Sequence, residues 1–74
     1  MPTTVLDATG LMCPLPVLKA KKAIARLSPG DVLEVISSDP GSVADFTVFC
    51  AALGHTLLAQ SADAGVYRYR IQRG

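Results

Sequence analysis

The sequence contains no tryptophan, only two phenylalanines and two tyrosines, one histidine (His55) and two cysteines (Cys13 and Cys50) in 74 residues. With no CxxC pair and no Cys/His cluster, it offers no ligand set at zinc spacing. One disulfide would be a thin framework for a small secreted protein, so a reduced, cytoplasmic protein is expected. No apolar run approaches the roughly 20 residues of a membrane span. Met1-Pro2-Thr3-Thr4 has neither a basic region nor an apolar stretch, so no signal peptide is expected. An excess of one charge is missing too. Seven Lys and Arg against six Asp and Glu leave a net charge of +1, too weak a field to draw in nucleic acid from a distance. A hydrolase triad and a phosphate-binding glycine loop are also absent. Neither cofactor nor metal, direct nucleic-acid contact nor membrane is expected.

What is present is apolar. Half of the residues are hydrophobic, in a chain near the lower length at which a core holds a fold without staples. A single domain over residues 1–74 is expected.

The chain is organised around Asp7-Ala8-Thr9-Gly10-Leu11-Met12-Cys13-Pro14-Leu15-Pro16, which ends a short strand and opens a helix. A proline pushes the residue before it toward extended backbone, the conformation of an N-cap, so Cys13 is expected to cap the helix. Pro14 then falls at the first helical position, where its fixed φ fits and its missing N–H costs nothing. Pro16 still lies within the first turn. A thiol at a helix N-terminus sits by the positive end of the macrodipole and near unpaired amides, which favours thiolate, the nucleophilic form. The competing reading is a buried cysteine that happens to precede a helix.

Along the chain, residues 4–8 read as a short strand. From 14 to 27, Val17, Ala20, Ile24 and Leu27 recur at helical spacing, with Lys19, Lys22 and Arg26 on the opposite face. That stripe is either a solvated face or a docking surface for an acidic partner, with Lys19 less than two turns from Cys13. Ser28-Pro29-Gly30-Asp31 ends the helix. Residues 32–36 form a nearly continuous apolar run, the signature of a buried strand. If the first two strands are parallel, Ser38 and Asp39 come near Cys13; the plainer reading of Ser38-Asp39-Pro40-Gly41 is a turn and cap. Residues 42–53 read as a second helix, with Ser42 as N-cap, Asp45 as a weaker capping-box partner, and Val43, Phe46, Cys50 and Leu53 on its apolar face. On that face Cys50 is a core residue, the alternative being a resolving thiol that pairs with Cys13. Gly54 stops the helix, and His55 is given no role.

Residues 56–61 and 66–72 form a hairpin across Asp63-Ala64-Gly65. Tyr67, Tyr69 and Ile71 alternate with Arg68, Arg70 and Gln72, so strand parity leaves an arginine-only platform on the wet face, which weakens a reading as an RNA-stacking surface. The expected fold is an α/β (α+β) two-layer sandwich, β-α-β-α-β-β, with a four-stranded mixed sheet and two helices on one face.

Leu6-Asp7, Gly10, Cys13-Pro14-Leu15-Pro16, Pro29-Gly30-Asp31, Ser38-Asp39-Pro40, Phe49-Cys50 and Tyr67-Arg68-Tyr69-Arg70-Ile71 together resemble the TusA-like sulfur-carrier family, the SirA/YedF group, over essentially the whole chain. The resemblance implies that Cys13 accepts a sulfane sulfur as a persulfide from a cysteine desulfurase or rhodanese and passes it to a cysteine on an acceptor protein. It implies service in tRNA 2-thiolation, molybdenum cofactor assembly or a sulfur-oxidation relay. Asp7, Gly10, Pro14, Leu15 and Pro16 would support the motif and, with Lys19, dock partners. Leu15 stands where some tRNA-thiolation members carry glutamate, which leaves the local surface apolar. Two other functions are set against the carrier: a binding or regulatory module in which the thiol is incidental, and a dithiol switch using Cys13 and Cys50.

Overall fold

A computed structural model describes residues 3–12 and 14–74; Met1, Pro2 and Cys13 lie outside them. Strand β1 (Thr3–Ala8), helix α1 (Leu15–Ile24), strand β2 (Val32–Ser37), helix α2 (Ser42–Leu53), and strands β3 (Thr56–Asp63) and β4 (Val66–Gln72) follow in order. This is the expected mixed two-layer fold. The sheet runs β1-β2-β4-β3, with β1 parallel to β2 and the other pairs antiparallel.

The apolar run in β2 takes a central position because its residues can be covered by neighbours. Leu33 pairs with Ile71 and Val35 with Tyr69, and all four are buried. Arg68 and Arg70 alternate with them and are exposed, as the period of two requires. Against this inner face α1 places Ala20 and Ile24, and α2 places Phe46, Phe49 and Cys50. The Phe46 ring stacks on Tyr69 with centroids 4.5 Å apart and meets Phe49 edge-on at 6.2 Å. Burying side chains of this size contributes roughly 1.5–3 kcal/mol each.

The register defines two ends. At one, Thr3, Val32 and Gln72 stand side by side; at the other, Ala8, Ser37 and Tyr67 do.

Several local expectations are corrected. Pro14, with φ −96° and ψ 14°, is the N-cap of α1, and Leu15 rather than Pro14 is its first residue, which puts Pro16 second. The cause lies in the preceding turn: the Leu15 N–H donates to the Met12 carbonyl (2.9 Å), and the first helical bond runs from Leu18 N–H to the Pro14 carbonyl (3.1 Å). The helix ends at Ile24, not Leu27, because the chain tightens into i→i+3 bonds from Arg26 to Ala23 and from Leu27 to Ile24. The Leu27 carbonyl is taken by the Arg73 guanidinium, and the Asp31 carboxylate accepts from Ser28 N–H (2.9 Å).

Gly41, not Ser42, is the N-cap of α2, and no side chain caps that helix. Ser42 is buried and turned inward. Its hydroxyl donates to the Asp39 carbonyl (2.7 Å) and lies 2.7 Å from the Tyr69 hydroxyl. A serine has one proton to give, so Tyr69 donates to Ser42. Val43 and Leu53 point outward, and Phe49 takes the buried place on α2 that spacing gave them. In α1, Pro16 joins Ala20 and Ile24 in the core while Val17 is half-buried, as is Leu27 beyond the helix end. β3 runs on to Asp63, so the hairpin turns on two residues, Ala64 and Gly65, with φ 51° and 78°. Helix α2 does stop at Gly54 in the left-handed conformation.

Candidate functional site

The end of β1 turns sharply because Asp7 folds its carboxylate back on the chain. One oxygen accepts both the Thr9 hydroxyl (2.6 Å) and the Thr9 N–H (3.0 Å). Those donors, the hydroxyl above all, hold the Asp7 carboxyl below its ordinary range, so it is ionised at neutral pH. Gly10 follows with φ +81°, and the Leu11 N–H returns to the Ala8 carbonyl (3.3 Å). A positive φ at the third turn position is what a type II turn demands and glycine supplies at no steric cost.

Because β1 and β2 are parallel, the loop after each strand leaves from the same end. Ser38 uses that proximity: its hydroxyl accepts the Gly10 N–H at 2.8 Å. Asp39 is employed differently. Its carboxylate accepts from Gly41 N–H (3.1 Å), its own N–H donates to the buried Ser37 hydroxyl (3.2 Å), and its carbonyl accepts from Ser42. So of the two residues anticipated near the motif, Ser38 touches its turn and Asp39 shapes the opening of α2.

Cys13 lies outside the described residues. Its sequence neighbours Met12 and Pro14 are exposed, Met12 by 75%. Helix α1 opens directly after them, with no acidic residue in its first turn to offset the positive end of its dipole. Pro16 is buried and anchors the helix start, whereas Leu15 and Lys19 face outward. Leu15 and Lys19 join Leu11, Leu18 and Lys22 around a groove of about 220 Å³. On the other flank of α1, a shallower depression of about 410 Å³ is lined by Pro14, Val17, Leu18, Lys21, Val48 and Leu53, among others. Leu18, Met12 and Val48 were not anticipated. The available signal was an apolar residue out of phase with the buried stripe, as Leu18 is beside Lys19.

Cys50 is in the core at 4% exposure, and burial pushes its thiol pKa up from 9.0. The His55 ring lies against Phe49, centroids 5.6 Å apart, and its Nδ1 accepts from Gly74 N–H (3.0 Å), a structural position. Among the described residues, no three His, Cys, Asp or Glu gather as metal ligands, and no helix is long and apolar enough to cross a membrane.

The described residues form a hydrogen-bonded turn before an exposed helix opening, with apolar and basic side chains beside it. Such a place suits a nucleophile that other proteins must reach. The family model described as Sulfurtransferase TusA matches residues 4–73. A candidate sulfur carrier protein of Neisseria meningitidis serogroup A is 49% identical over 97% of both chains. The sulfur carrier protein TusA of Allochromatium vinosum is 46% identical over 92% of this chain and 90% of its own. The crystal structure of a SirA-like protein from Desulfitobacterium hafniense superposes with a TM-score of 0.84 at 32% identity, covering 96% of this chain and 97% of that one. With the motif, the fold and nearly the full length all in agreement, the chain belongs to the sulfurtransferase TusA family.

Proposed function

We propose that this chain is a sulfur carrier whose Cys13 takes up sulfane sulfur as a persulfide and hands it to a cysteine of a partner protein. The reading is carried by the contrast between the two thiols. Cys50 is enclosed and held protonated, while Met12 and Pro14, the chain neighbours of Cys13, are exposed beside the start of α1. Family membership supports the same assignment.

In the first step the Cys13 thiolate attacks the outer sulfur of a donor persulfide. The donor's S–S bond breaks, its cysteine leaves as thiolate, and the outer sulfur with its proton is now bonded to Cys13. In the second, an acceptor thiolate attacks that same sulfur and Cys13 leaves as thiolate, so there is no net oxidation in either transfer. The donor is a cysteine desulfurase or a rhodanese, and the acceptor is a protein with a reactive cysteine. Both dock on Pro14, Leu15 and Lys19, with Asp7, Gly10 and Pro16 keeping the turn and helix start in shape. Direct nucleic-acid contact is not part of the reading, since Arg68 and Arg70 lie on the sheet face away from the tyrosines. A reducing cytoplasm, which keeps both thiols free, is the fitting compartment. The onward route is tRNA 2-thiolation, molybdenum cofactor assembly or sulfur oxidation.

The test is intact mass after incubation with a cysteine desulfurase and cysteine, or a rhodanese and thiosulfate, with and without reductant. One reducible sulfur addition, absent in Cys13→Ser, is the expected result. No addition from either donor would overturn the carrier and leave a binding module with an idle thiol.

A further inference from the structure

We propose that Ser38 is a positioning residue for sulfur transfer, holding the turn that precedes Cys13 in the chain. Its part in transfer rests on the persulfide reading above; its grip on the turn rests on geometry alone. Within residues 8–15, the bonds from Leu11 N–H to Ala8 and from Leu15 N–H to Met12 close locally and travel with the segment. The bond from Gly10 N–H to the Ser38 hydroxyl, 28 residues away, instead ties the segment to the rest of the molecule. Half-buried Leu11 adds packing against the core.

Ser38 can serve as an anchor because its own loop is anchored. Asp39 beside it donates to buried Ser37 and accepts from Ser42, and Ser42 is bonded to Tyr69, which is 1% exposed and stacked on Phe46. A series of short contacts thus runs from the aromatic core to the turn before Cys13. A reacting group held through such support keeps its orientation, whereas one on a free loop does not. Serine is suited to this place because its oxygen is short enough to stay put and accepts the outward-facing amide of a glycine turn.

The experiment is alkylation of Cys13 by iodoacetamide across pH, with peptide mass mapping to assign the site. Ser38→Ala is expected to move the alkylation midpoint to higher pH and to slow the reaction at pH 7 by roughly three- to tenfold, the range that one hydrogen bond spans. Ser38→Thr, which keeps the oxygen, restores both. Circular dichroism checks that each variant is folded; if Ser38→Ala is not, Ser38→Thr and Ser38→Val make the same comparison at equal shape. An unmoved midpoint in the variant lacking oxygen, or a threonine variant no better than it, overturns the proposal. Because alkylation needs no sulfur donor, the two readings fail separately. A Ser38 effect in a protein that never loads sulfur sinks only the carrier, and loading without a Ser38 effect sinks only the positioning role.

Discussion

Cys50 is a thiol whose chemistry is set by its place in the core. Burial raises the Cys50 thiol pKa from 9.0, so the unfolded chain ionises it first. Its contribution to stability is therefore complete below about pH 9 and is lost as pH rises through the higher folded value. Urea melts should show stability falling above pH 9 in the wild type and a flatter alkaline limb in Cys50→Ala. At pH 7 that variant should lose about 1 kcal/mol through the space left by the sulfur. It should also load sulfur as the wild type does; failure to load would revive the dithiol switch. The core role of Cys50 was legible from helical spacing alone. That of Ser42 was not, because a serine before a helix is ordinarily a cap, and only the approach of β4 brings the Tyr69 hydroxyl within reach to draw it inward.

Among the elements, the β3–β4 hairpin carries a local flaw. Its two-residue turn needs positive φ at both positions, and Ala64 occupies the first with φ 51°. An alanine there meets the steric cost that asparagine or glycine avoids. Ala64→Asn should stabilise the protein by about 0.5–1 kcal/mol, read as a higher urea midpoint with an unchanged slope. Element types and order could be read from periodicity and turn residues, since β2 is continuously apolar and α2 is bounded by turn chemistry and Gly54. Boundaries were harder for a physical reason. The proline at 14 satisfies both an N-cap and a first-turn position, and the Met12–Leu15 bond decides between them. The exposure of Val43 and Leu53 likewise depends on how α2 is seated on the sheet, which helical spacing does not encode.

For the molecule as a whole, the small core leaves little in reserve. A chain of 74 residues has a stability of about 4–11 kcal/mol. Phe46 touches both Tyr69 and Phe49, and Phe46→Ala should cost about 3–5 kcal/mol, leaving much of the protein unfolded at 37 °C by circular dichroism. The strand register matters in a different way. Thr3 and Gln72 flank Val32 at one end of the sheet, while Gly10 and Ser38 meet at the other, beyond Ala8 and Ser37. A tether attached through either Thr3 or Gln72, whether a flexible arm, a bead or a neighbouring domain, thus pulls on the far side and leaves the end where Gly10 meets Ser38 unobstructed.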